Sequence, residues 1–182
     1  MPSLARIVRV IGALNGMLGS LFSWFTLGIV LVCFLVVVLR YVFAVSFVWM
    51  QDLYVWMNGV MFTGIAGYVL MRDGHVRVDI FYRPWGARRK AWLDLIGFFA
   101  FLAPFAVTVV VWGWTYVQRS WRFGESSMNV GGLPGLFVVK SFILVFAVVI
   151  LLQGIAMVLR SILVLNGREE LLPNHLRYPK AA

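Results

Sequence analysis

The sequence predicts an all-α integral membrane protein: four transmembrane helices with both ends in the cytoplasm, preceded by an amphipathic helix lying in the membrane interface. Three observations predict it. Hydrophobic residues make up 62% of the 182 residues and charged residues only 13%, against roughly 45–50% and about 25% in ordinary soluble domains. Mean hydropathy is +0.91, so a chain of this length has more apolar surface than it can hide from water. Finally, the apolar residues gather in four charge-free runs, each close to the ~20 residues that cross a hydrocarbon core of ~30 Å.

In chain order, residues 1–17 place Leu4, Ile7, Val8, Ile11 and Leu14 at a helical spacing that continues to Leu18, with Arg6 and Arg9 on the opposite side. That pattern suits a helix lying in the interface; the alternative is a cytoplasmic extension of the first span. The first span, residues 18–39, carries no charge and is bounded by Arg9 and Arg40. It is too long for the apolar core of a signal peptide and no small-residue cleavage site follows, so it is expected to persist. The second span, 53–71, lies between Asp52 and Arg72, and the third, 95–117, between Asp94 and Arg119. Pro104 can kink the third. The fourth, 142–159, lies between Lys140 and Arg160 and extends to about 136–165 if those two cations snorkel from a tilted helix. Residues 166–182 form a cytoplasmic tail. Trp49, Tyr54 and Trp56, and then Trp112, Trp114, Tyr116 and Trp121, mark the interfaces.

Basic residues outside the spans set the orientation, because they are retained on the cytoplasmic side. With both ends inside, that side holds Arg6, Arg9, Arg72, Arg77, Arg83, Arg88, Arg89, Lys90, Arg160, Arg168, Arg177 and Lys180, and the outer side only Arg40, Arg119, Arg122 and Lys140. The formal net charge of +9 is therefore topological and implies no nucleic acid partner.

Whole classes of chemistry are missing. Cys33 is the only cysteine and His75 and His175 are outside the spans, which removes thiol redox, multi-cysteine metal sites and bis-histidine haem. Ionisable groups near mid-membrane, kept only for use because they cost several kcal/mol, are absent from the four runs. No P-loop, nucleophile elbow or metal-ligand cluster occurs. The sequence thus predicts no enzyme and no cofactor in this chain. Polar groups such as Asn58, Thr63, Thr108 and Gln153 can bond between helices.

Other residues offer surfaces. Gly59, Thr63 and Gly67 recur every fourth residue and leave a groove for close packing, within the bundle or against a partner. Arg83, Arg88, Arg89 and Lys90 are candidates for phospholipid headgroups, with plain topology determinants as the alternative. Arg72, Gly74, His75, Arg77 and Asp79 form a structural loop cluster, in which His75 could alternatively sense pH. In the outer loop Arg122, Glu125 and Ser126, with Asp52 from the second span, are candidates for contact with a partner. Asp52 could instead cap its helix, and the loop could be a capped turn leading through Pro134.

Residues 49–85 join an aromatic and acidic cluster to a span and then to a basic loop. The run Gly74-His75-Val76-Arg77-Val78-Asp79 follows the second span, with Arg40-Tyr41, Trp49 with Asp52, Gly132-Leu133-Pro134 and Gln153-Gly154 in support. Over residues 18–165 the chain resembles the small Q, or DctQ-like, membrane subunit of tripartite ATP-independent periplasmic (TRAP) transporters. Gln51-Asp52 departs from it, where many relatives place glutamates. The resemblance implies a non-catalytic scaffold in the bacterial inner membrane. A large M subunit would carry an organic acid with sodium by an elevator motion, and a periplasmic binding protein would deliver it. The alternative is a stand-alone oligomeric channel or carrier.

Overall fold

Helix α1 runs unbroken from Pro2–Val42, 41 residues, which at 1.5 Å per residue is roughly 60 Å, about twice the hydrocarbon thickness. No break near residue 17 sets an interfacial helix apart from the first span. The amino-terminal part instead buries Ala5, Val8, Ile11, Gly12 and Asn15 inside the fold, while Arg6, Ile7 and Arg9 stay exposed. Helices α2 (Val48–Gly64) and α3 (Ala66–Met71) form the second span. They meet at Ile65, where the bond from Ile65 N–H to the Met61 carbonyl keeps the rod continuous. The structure, a computed structural model, describes residues 1–74 and 84–178, and every regular element among them is helical.

The third span is α4 (Ala87–Gly97), a π-helical turn (Phe98–Leu102) and α5 (Ala103–Phe123). Pro104 explains the widened turn: proline has no N–H to donate and its ring presses on the preceding turn, and one π turn absorbs both. The kink expected there takes this form. The fourth helix, α6 (Leu136–Leu165), has 30 residues and matches the longer of the two extents the sequence allowed. Two 3-10 turns, Glu169–Leu171 and Asn174–Leu176, fold the tail back.

Helix α6 packs against α1, α2, α3, α4 and α5, and close approach depends on small residues. A side chain at Gly67 would strike Asn15 and the Val149 backbone, one at Gly154 the Phe98 ring, and one at Gly19 the Tyr68 ring. Gly67 is therefore spent within the bundle. Thr63 turns its hydroxyl to its own helix, donating to the Gly59 carbonyl at 2.7 Å, and Gly59 faces Val139 of α6. Near these glycines Asn15 Nδ2 donates to Gln153 Oε1 at 2.8 Å, both side chains buried. Gln153 thus bonds between helices as expected, to an asparagine of the segment read as interfacial.

Candidate functional site

Polar side chains gather at the two ends of the bundle, one beside the carboxyl-terminal tail and one beside the loop between α5 and α6. At the tail end, Asp94 of α4 accepts from Arg160 Nη2 of α6 and from the Tyr178 hydroxyl, both at 2.8 Å and both at Oδ2. Ser161 lies 3.0 Å from the same hydroxyl, and the Arg160 guanidinium sits 4.2 Å over the Tyr178 ring. The side chains of Arg160 and Asp94 are 8% and 6% exposed. Burial raises the Tyr178 pKa above its ordinary value, so the phenol stays protonated and keeps donating. Beside this network Leu172 and Leu176 of the tail close over Ala5, Val8, Met71 and Leu163.

Several residues singled out in the sequence can be placed at this end. Arg72 caps the end of α3 and is exposed, with its guanidinium 5.5 Å over the Tyr68 ring. Asp73 takes a positive φ of 53° and Gly74 N–H returns to the Val69 carbonyl at 2.9 Å, a left-handed stop to the helix. His75, Arg77, Asp79 and Arg83 lie outside the described residues. Arg88 and Arg89 are exposed, free to meet headgroups. Lys90 is a correction: at 1% exposure it is engaged inside the fold and offers no charge to the surface.

The loop end is built around Asp52. Gly124 leaves α5 in the left-handed region, φ 56°, where glycine carries no side-chain penalty. The chain then curls so that Ser127 N–H meets the Leu133 carbonyl at 2.9 Å. Asp52 Oδ1 accepts from Asn129 Nδ2 and Oδ2 from the Leu133 N–H, each at 3.0 Å, and Ser127 adds a further hydrogen bond. A side chain at Gly132 would collide with Asp52 and Ser127. Asp52 is 7% exposed, so it is corrected from a surface docking candidate to the anchor of the loop. Nor does it cap α2, which begins a turn earlier at Val48 with no side-chain cap.

Around this anchor, Glu125 accepts from Ser120 Oγ and Lys140 Nζ, both at 2.6 Å. Lys140 lies 4.2 Å over the Tyr116 ring, and Trp121 Nε1 donates to Ser141 Oγ at 2.8 Å. The bond from Lys140, and then that from Ser120, lowers the Glu125 pKa below its ordinary value of 4.5. A carboxylate with a lowered folded-state pKa contributes its stabilisation fully above the ordinary value and loses it as pH falls through the lowered one. An acid transition in Trp121 fluorescence is therefore expected below pH 4.5 and absent in Glu125→Gln. A wild-type transition above that pH would contradict the assignment.

Arg122, in the last turn of α5, and Ser126, on this loop, are exposed. Two residues that sequence reasoning missed stand out further: Met128 and Val130 are 95% and 97% exposed. The signal was there, two apolar side chains in an otherwise Gly-, Ser- and Asn-rich loop. A hydrogen-bonded loop that holds apolar groups away from the bundle is suited to contact with another surface.

A family model described as tripartite ATP-independent periplasmic transporters, DctQ component, matches residues 29–164. The match runs from the middle of α1 almost to the end of α6 and takes in both Asp52 and the Asp94–Arg160 pair. No curated protein and no solved structure matches the chain.

Proposed function

The chain belongs to the DctQ component family of tripartite ATP-independent periplasmic transporters, and from that membership we propose that it is the static brace of its transporter. The family makes it the small membrane subunit, a transport component. The observation that carries the brace reading is the use of its buried polar groups. Asn15 bonds Gln153, Asp94 bonds Arg160 and Tyr178, and Asp52 bonds the loop. Each is spent on holding one helix or segment to another, which favours rigidity over a path for solute.

In this reading the organic acid and its sodium ion travel through the large M subunit. The exposed apolar helix faces meet that subunit and lipid. The tail end, rich in arginine, faces the cytoplasm of the inner membrane, and Arg88 and Arg89 lie at phospholipid headgroups. The loop held by Asp52 faces the periplasm, where Arg122, Glu125 and Ser126, with Met128 and Val130 at the tip, receive the binding protein.

Reconstitution tests it. The chain alone in liposomes should give no uptake, and sodium-driven uptake should appear only with the large subunit and the loaded binding protein together. Sodium-dependent uptake by this chain alone would sink the brace.

A further inference from the structure

Helix α1 and Tyr68 of α3 enclose a groove of about 710 Å³, within the size range that holds small ligands. Its floor is made by small residues, Gly16, Ser20 and Ser23, and its far wall by Trp24, Leu27 and Val30. Trp24 is 70% exposed and Leu27 51%, so the far wall opens sideways into the surroundings of the bundle. Two of the hydroxyls in it are already engaged. Ser23 donates to the Gly19 carbonyl at 2.6 Å, and Thr26 to the Met61 sulfur at 3.2 Å.

The near end differs in charge. Arg72 holds its guanidinium over the ring of Tyr68, the residue that lines the groove from α3. Arg9 is exposed, with its Nε donating to the Ala5 carbonyl at 3.3 Å, and it lies seven residues before Gly16, two turns along the same side of α1. Beyond its near end the groove thus has two exposed arginines, and beyond its far end an apolar slot. From Gly16 to Val30 it is roughly 20 Å long by helical rise, enough for a chain that reaches from headgroup to bilayer midplane, about 15 Å.

We infer that this groove binds one anionic phospholipid, its phosphate between Arg9 and Arg72 and one acyl chain along Ser20, Ser23 and Leu27. The charge at one end selects this occupant: a neutral lipid leaves two guanidiniums without a counter-ion, and an apolar partner helix gains nothing from them. The site is separate from Arg88 and Arg89.

Trp24 is its reporter. The full chain is placed in phosphatidylcholine vesicles containing a minor share of a chain-brominated lipid, and Trp24 emission is taken as the difference between wild type and Trp24→Phe. Brominated phosphatidylglycerol should quench Trp24 several-fold more than the same share of brominated phosphatidylcholine. Arg9→Gln and Arg72→Gln should each reduce that excess by up to roughly fivefold, and Arg72→Lys should keep most of it. Gly16→Leu should abolish the excess with helicity intact, because nothing lies within 4 Å of a side chain placed there. Equal quenching by the two lipids would overturn the inference, as would an excess untouched by Gly16→Leu. Loss of the excess on adding the large membrane subunit would assign the groove to a helix of that subunit and overturn it too.

Discussion

Arg160→Met is expected to destabilise the bundle by about 1.5–3 kcal/mol, because it removes a charged donor from the buried Asp94 carboxylate. Little solvent screening offsets the loss, since both side chains are under a tenth exposed. The same change strips Tyr178 of the guanidinium beneath its ring and weakens the anchor of the tail. Adding Asp94→Asn should recover part of the stability, because the carboxylate that lost its guanidinium goes while an acceptor for the Tyr178 hydroxyl remains. A double-mutant cycle by reversible unfolding in mixed micelles measures this. Additive losses, with no recovery in the double variant, would show that the two charges do not act as a pair.

Asp52→Ala should leave the bundle assembled and cripple the complex. The substitution deletes the acceptor for Asn129 and the Leu133 N–H, and hydrogen bonds to a charged group contribute about 1.5–3 kcal/mol each. The loop must then be ordered at the moment of docking. Even one such bond, converted at 1.4 kcal/mol per tenfold, raises the binding-protein concentration for half-maximal uptake by roughly 10- to 100-fold. Co-purification with the large subunit should be unchanged. Uptake that saturates at the wild-type concentration would show that the loop is not where the binding protein lands.

Neither anchor was legible as an anchor in the sequence, although the helices were. Four charge-free runs located four helices because lipid permits little else, and Leu136–Leu165 could be read from the length of its apolar run. Pro104 marked the irregular turn for the same local reason. Asp94 and Arg160, by contrast, looked like ordinary boundary charges. They are 66 positions apart and Tyr178 is 84 from Asp94, and periodicity along one helix says nothing about which residue of another helix stands opposite. Asp52 was noticed for its charge and misassigned for the same reason, its partners lying 77 and 81 residues away. Lys90 looked like its neighbours Arg88 and Arg89, and only the turn of α4 distinguishes the buried cation from the exposed ones. The family resemblance, carried largely by residues 74–79, named the assembly without revealing any of these contacts.

The central place of α6 has a consequence in time. It is the last of the spanning helices to leave the ribosome, and it is the one on which all the others rest. Until it arrives, Asn15 lacks Gln153, Asp94 lacks Arg160, and the glycine at position 67 faces no neighbour from α6. The first two spans can pack on one another beforehand, while the third gains its main packing surface, and the bundle its completion, only when the fourth arrives. Tyr178 follows and latches the finished bundle. Premature release of a nascent chain before that point should leave a substrate for membrane quality control rather than a partly working subunit.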